Sequence, residues 1–147
     1  IIGTGIGAGI IIGGKLYKGN GNAGEIGHMT IDPSGTRCSC GKKGDFESWC
    51  SGKYIVKRYI EAGGKIKQPD PAKIFLSKEA AAKKIMEQTT DKLGIGLANI
   101  IAIFDPEAIV IGGGLGNLPF YDKIRAASEK YKYAGQRVQT KIIKSKQ

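Results

Sequence analysis

Cysteine is scarce in this chain. Its 147 residues hold three, two of them in one Cys-x-Cys. That is too few for a disulfide framework and points to a reducing cytoplasm. Long apolar runs are also lacking: none reaches 18 residues, so no membrane-spanning helix is expected, and no signal peptide is visible. No block of acidic or basic residues divides the chain, and neither an internal repeat nor a low-complexity segment is present. One domain, long enough for a real core, is the expectation from length. The chain opens on Ile1 rather than Met, inside what reads as a strand, and is read as a fragment with something upstream missing.

What is abundant is glycine, with 23 residues, roughly double the usual share and largely clustered. Apolar residues at 41% and charged residues at 24% are ordinary for a globular protein. The net charge of +10 is spread over both halves, with one local bias: from Lys130 onward there are six Lys or Arg and no acid. A nucleic-acid tail would read this way, but no aromatic interleaving or recognition-helix pattern accompanies it, so a solvated Lys-rich surface is expected.

Ile1 to Gly9 alternates glycine with small or branched residues. Ile10 to Ile12, a Gly13-Gly14 turn and Lys15 to Tyr17 then read as a hairpin. Backbone N–H groups of such a glycine loop can approach an anion closely, and Thr4 adds a hydroxyl. A tight turn in a Gly-rich sheet would look the same. No Gly-Lys-Ser/Thr follows, and a strand rather than a helix comes next, which excludes both a Walker A loop and a dinucleotide fingerprint.

Gly19 to Gly24 reads as a loop. Glu25 and His28, separated by three, offer two acceptors and a donor–acceptor ring, the inventory that vicinal hydroxyls need. Met29 to Asp32 is expected as a short strand. Cys38-Ser39-Cys40-Gly41 is a turn. A helix from Phe46 to Ala62, broken near Gly52, is predicted to bury Ile55, Val56, Tyr59 and Ile60 and to expose Lys53, Lys57, Arg58 and Glu61. Lys65 to Ala72 reads as a linker. Ser77 is the predicted N-cap of a helix running to about Phe104. Its stripe is Ala81, Ile85, Thr89, Leu93, Leu97 and Ile101, widened by Ile100 and Phe104. Ala108 to Ile111 is expected as a fully buried parallel strand, with Gly112 to Gly114 at its C-terminal end, where open α/β sheets bind ligands. A helix from Pro119 to Tyr133 and a strand within Val138 to Ile143 complete an α/β chain.

With these residues in place, the chain resembles the ROK family (repressors, uncharacterised open reading frames and sugar kinases). Ile2, Gly5, Gly7, Gly9 and Ile10, followed by Gly19, Gly24, Gly27 and His28, match its signature. The run from Glu25 to Ser51 and the later Asp105 to Leu115 segment match as well. The resemblance covers nearly the whole chain. It implies an actin-like ATPase (ribonuclease H-like) fold, of which residues 1–147 are read as part of the C-terminal lobe of a sugar kinase. By that similarity Gly3, Thr4, Gly5 and Gly7 meet the ATP phosphates. Gly112, Gly113 and Gly114 lie by the adenosine. Glu25, His28 and Glu47 take the sugar hydroxyls.

The family's catalytic base is an Asp that none of the aspartates here matches, so no catalytic residue is expected in the chain, and the 147 residues alone are expected not to catalyse. The implied reaction is glucokinase-like phosphoryl transfer from ATP with Mg²⁺ to a hexose. The alternative is a transcriptional repressor that uses the same site to sense a sugar and touches nucleic acid elsewhere. A cytoplasmic homo-oligomer, dimer or tetramer, without a membrane partner is implied in either case. The family's zinc knuckle uses one His and three Cys. His28, Cys38 and Cys40 match it, and Asp45 stands where the third Cys belongs, with Cys50 as the less favoured substitute. A mixed zinc site is one expectation. The other is a metal-free loop in which Asp45 caps the following helix.

Overall fold

The computed structural model describes residues 1–136 and 139–146. Strands β1 (Ile10–Ile12) and β2 (Lys15–Tyr17) form the expected hairpin, with Ile10 opposite Tyr17 and Ile12 opposite Lys15. Gly13 and Gly14 both take positive φ, which a two-residue turn between twisted strands requires. A 3-10 turn covers Ile26–His28. Met29 to Asp32 is not a strand: a single bridge joins Thr30 to Asp45, because the chain must bend at Pro33.

Helices α1 (Phe46–Cys50) and α2 (Gly52–Glu61) are separated at Ser51, whose extended backbone makes the predicted break. The inward face of α2 is rotated by one residue from the expected one. Tyr54, Ile55, Arg58 and Tyr59 are buried, while Ile60 is 57% exposed. The reason is that Arg58 has somewhere to go. Its guanidinium donates to the Trp49 carbonyl at 2.8 Å, to Thr89 Oγ1 at 2.5 Å and to Gln88 Oε1 at 3.2 Å, and it lies 5.0 Å from the Trp49 ring centre. A buried cation whose two terminal nitrogens are hydrogen-bonded can occupy a core position that pattern alone assigns to an apolar residue, even with Nε left unpartnered.

The predicted linker contains a helix, α3 (Pro71–Leu76). Asp70 caps it by accepting the Lys73 N–H at 2.9 Å, and Pro71 sits at its first position, where a missing N–H costs nothing. Ser77 therefore ends α3 instead of starting the next helix, α4 (Ala80–Phe104). The α4 stripe holds from Ile85 to Ile101, with Ala82 in place of Ala81 at its start and Phe104 left 41% exposed.

Gly94 and Gly96 cost α4 about 1 kcal/mol each in propensity. Close packing repays it: a Cβ on Gly94 would strike the Ala127 backbone, and one on Gly96 the Phe46 ring. Helix α4 is thus the spine against which α1, α2, α3 and α5 (Tyr121–Tyr131) pack.

Strand β3 (Ala108–Ile111) pairs in parallel with β4 (Lys141–Lys144), Ile111 opposite Lys144. It is not fully buried: Ile111 is covered, but Val110 is 57% exposed. The expected final strand begins later than predicted, and Val138 lies outside the described residues. Helix α5 is likewise shorter than the predicted 119–133. The basic C-terminal region is partly compensated, since Lys130 pairs with Asp91 at 2.9 Å and Lys132 with Glu129 at 3.0 Å. Among the described residues no helix is long and apolar enough to cross a membrane.

Candidate functional site

The glycine loop folds back on itself. Ile2 bridges Ile6, and Gly3 N–H donates to Gly5 O at 3.0 Å. Two further bonds tie it to the end of β3: Ile2 N–H to Gly112 O at 2.8 Å and Leu115 N–H to Ile2 O at 3.1 Å. A third sets the start of α2 against it, Gly52 N–H to Gly3 O at 2.8 Å. Beside these bonds lies an open cavity of about 750 Å³ lined by Gly3 and Thr4 and by Gly114, Leu115 and Leu118. Val56, Pro71 and Lys53 also line it. The described residues hold a second cavity of about 580 Å³, bounded by α3, α4 and α5, but it contains none of the predicted site residues.

Not every predicted loop residue reaches the larger cavity. Gly5 is turned toward Glu47: a Cβ there would lie 2.7 Å from Glu47 Oε2. Gly7 is engaged with Ile1 through its N–H and carbonyl. Gly112 and Gly113 brace Ile2, and of the three glycines only Gly114 lines the cavity.

Glu47, the second residue of α1, accepts the Ile6 N–H at 3.0 Å through Oε2. That bond spends one carboxylate oxygen on the loop and leaves Oε1 with no protein partner among the described residues. Gly24 and Gly27 lie directly on the loop backbone, since a Cβ on either would collide with the carbonyl of Ala8 or Ile6. Glu25 and His28 are thereby held next to the loop that Glu47 grips. Glu25 is exposed and makes no side-chain hydrogen bond among the described residues. All three predicted hydroxyl-binding residues thus flank one stretch, residues 5–8, away from the lining of the larger cavity.

His28, Cys38, Cys40 and Asp45 also come together, with one donor atom from each lying within 4.8 Å of the others. Asp45 Oδ2 is 3.3 Å from His28 Nδ1 and accepts the Cys40 thiol at 3.0 Å. The Asp45 side chain is fully buried, and its Oδ1 has no partner. Burial works to raise the Asp45 carboxyl pKa. Hydrogen bonds from Cys40, His28 and Cys38, with the charge of Lys42, outweigh it and hold the group below its ordinary value. The Asp45 hydrogen bond in turn pushes the Cys40 thiol up.

Asp45 does occupy the N-cap position of α1, but its side chain makes no cap hydrogen bond. The capping expectation fails because the carboxylate is already engaged by the thiol and the ring. Cys50 is excluded from the cluster: it is buried on α1 with its thiol on the Thr89 carbonyl at 3.6 Å. Two thiolates, one imidazole and one carboxylate, with an unpartnered buried oxygen among them, suit a tetrahedral zinc-class ion in donor chemistry.

Sequence reasoning missed the support behind the cysteine turn. Trp49 is held between two cations, Arg58 and Lys92, each 5.0 Å from its ring centre. Lys92 also pairs with Asp32 at 2.8 Å. Lys92 Nζ, with Ser34, brings Asp32 down from its ordinary 3.8 to about 2. No spacing rule links Asp32, Trp49 and Lys92. Only the packing of the 32–35 turn on α4 does. Lys53 was assigned merely to the exposed face of α2, and its place at the cavity follows from the Gly52–Gly3 bond.

The ROK family model matches residues 1–147. A putative xylose repressor from Caldicellulosiruptor sp. (strain Rt8B.4) is 36% identical, over 99% of this chain and 41% of that protein. A glucokinase from Streptomyces coelicolor is 34% identical, over 91% of this chain and 49% of that protein. The crystal structure of a ROK family glucokinase from Streptomyces griseus, in complex with glucose and AMPPNP, superposes with a TM-score of 0.83 at 27% identity. That superposition covers 97% of this chain and 53% of the glucokinase. The chain thus spans about half the length of these relatives or less. With a family match along its whole length and the fold of ROK sugar kinases, the chain belongs to the ROK family and carries its actin-like ATPase fold.

Proposed function

We propose that this chain is part of the C-terminal lobe of an ATP-dependent hexose kinase, glucokinase-like, that moves the ATP γ-phosphoryl group to a sugar hydroxyl. The observation that carries this reading is that one cavity is lined both by Gly3 and Thr4 and by Gly114. The likeness to a glucokinase structure holding glucose and AMPPNP supports it.

In this reading Thr4 supplies a hydroxyl donor to the phosphate tail and Gly3 lets it approach closely, with Gly5 and Gly7 shaping the loop from behind. Gly112 and Gly113 fix the position of Gly114 by the adenosine. Glu25, the free Glu47 Oε1 and His28 Nε2 orient the hexose, so that catalysis is mostly positioning. The proton of the attacking hydroxyl goes to a carboxylate of the N-terminal lobe, since no aspartate here fits that role. Mg²⁺ bound with the nucleotide supplies charge neutralisation at the phosphates. A zinc-class ion, when bound, would be held by His28 Nδ1, Cys38, Cys40 and Asp45. The chain's part is to present His28 with that nitrogen inward and Nε2 toward the sugar.

One observation favours a second reading. The 36% identity to a putative xylose repressor is as high as that to any kinase named above. In a repressor the same Glu25, His28 and Glu47 would sense a sugar, and DNA would be read by a segment outside these residues. The test is ADP release by the intact protein over a panel of glucose, mannose, N-acetylmannosamine and xylose. Sugar-dependent ADP release is expected with a hexose. Sugar binding by folded protein without ADP release would overturn the kinase reading in favour of the sensor.

A further inference from the structure

The larger cavity is chemically two-sided. Val56, Pro71, Leu115 and Leu118 make its apolar part. Its polar part is Thr4 and Lys53, joined through the Gly52 N–H bond to Gly3 O. Among the described residues two charged ones line the cavity, Lys53 and Asp70. Asp70 is already compensated: it accepts the Lys73 N–H at 2.9 Å and pairs with Lys73 Nζ at 3.2 Å. Lys53 has no carboxylate partner among the described residues, and its ammonium stands 5.2 Å from the centre of the Tyr54 ring. Its neighbour Lys57, over the same ring at 6.0 Å, is by contrast paired with Glu61 at 3.9 Å.

Lys53 is also the second residue of the ten-residue helix α2. Ser51, at the N-cap, makes no side-chain cap bond, and its buried hydroxyl is unpartnered. The first N–H of α2, on Gly52, already donates to Gly3 O and that of Tyr54 to Ser51 O, so the charge that α2 brings to the cavity is the Lys53 ammonium. An unpaired ammonium beside a hydroxyl attracts an anion, while the apolar part of the lining suits a flat ring.

We propose that Lys53 is a nucleotide-binding residue: its ammonium, with the Thr4 hydroxyl, takes the polyphosphate tail, and the base lies against Leu115, Leu118 and Pro71. This rests on the nucleotide reading above and deepens it by assigning a residue that the glycine motifs do not contain. Lysine serves as a point charge on a flexible stem, so its contribution is charge rather than a fixed hydrogen-bond fork.

Calorimetric titration of the intact protein with AMPPNP and with adenosine tests it. Lys53→Gln is expected to weaken AMPPNP about tenfold at low salt, with the difference shrinking as salt rises, and to leave adenosine unchanged. Lys53→Arg should restore AMPPNP binding to within about twofold, and Lys57→Gln should bind as the wild type does. Because Lys53 is exposed, none of these changes removes a packed group. If wild-type protein binds AMPPNP and Lys53→Gln binds it equally well, Lys53 has no such role and the nucleotide reading survives. Equal losses for AMPPNP and adenosine would make the residue structural and overturn the proposal. Wild-type protein that binds no AMPPNP would sink this proposal and the nucleotide reading together.

Discussion

Replacing Glu47 separates the loop bond that its side chain makes from the sugar contact proposed for it. Its Oε2 accepts the Ile6 N–H at 3.0 Å, and its Oε1 is free for a sugar hydroxyl. Glu47→Gln can keep the loop bond through its amide oxygen but loses the charge on the side facing the sugar. Glu47→Ala loses both. A hydrogen bond to a charged acceptor is worth about 1.5–3 kcal/mol, which converts to a loss of roughly tenfold to a hundredfold in sugar affinity for either variant. The Ile6 amide is only partly buried, so water can replace the lost acceptor in Glu47→Ala, and the loop penalty should stay near 1 kcal/mol. Nucleotide affinity is then expected to be unchanged in Glu47→Gln and reduced by about fivefold in Glu47→Ala. Titrations of the intact protein with the preferred hexose and with AMPPNP measure each quantity. Unaltered sugar affinity in both variants would remove Glu47 from the sugar site, and a larger loss for AMPPNP than for sugar would show that its main job is the loop.

Elemental analysis of protein purified without chelator is expected to find zinc near one equivalent, and Asp45→Ala should lose it, while Asp45→Cys should hold it more tightly, because thiolate is the softer donor. No metal in the wild type with sugar affinity intact would contradict that. The Lys92–Asp32 pair predicts a pH signature. The folded-state pKa of Asp32 is depressed from 3.8 to about 2, so its contribution is complete above pH 4 and is lost as pH falls toward 2. The stability gap between wild type and Asp32→Asn, read from urea midpoints, should accordingly close across that window, and a gap independent of pH would refute the pair's role. Gly94→Ala raises intrinsic helix propensity yet should lower stability by about 1–3 kcal/mol, read from urea unfolding, because the added methyl meets the Ala127 backbone.

The elements that the sequence announced are those whose signals are local. The Gly13-Gly14 hairpin, the break at Ser51 and the long stripe of α4 each follow from residues within a few positions of one another. Helix α3 carried a local signal as well: Asp70-Pro71 is an N-cap followed by an N1 proline, hidden by reading two prolines as a linker. What local pattern could not convey was Arg58 in the core, because its acceptors come from Trp49, Gln88 and Thr89. The candidate site shows the same division. The glycine motifs and the His28, Cys38, Cys40 spacing were readable. The grip of Glu47 on the glycine loop, the engagement of Asp45 by Cys40 and His28, and the arrival of Lys53 at the cavity depend on contacts between segments apart in sequence.

The stitching of Ile2 to Gly112 and Leu115 carries a kinetic corollary. Those bonds join points roughly 110 residues apart, so the wall formed by Gly3 and Thr4 cannot meet the wall formed by Gly114 until nearly the whole chain has closed into one loop. Closure of that length is slow compared with the hairpin or the helices, and the cavity is among the last features to form on folding. A ligand seated there recognises only the finished molecule. Its binding energy therefore adds in full to resistance against global unfolding, growing with the logarithm of ligand concentration, while the hairpin's own fraying is left untouched.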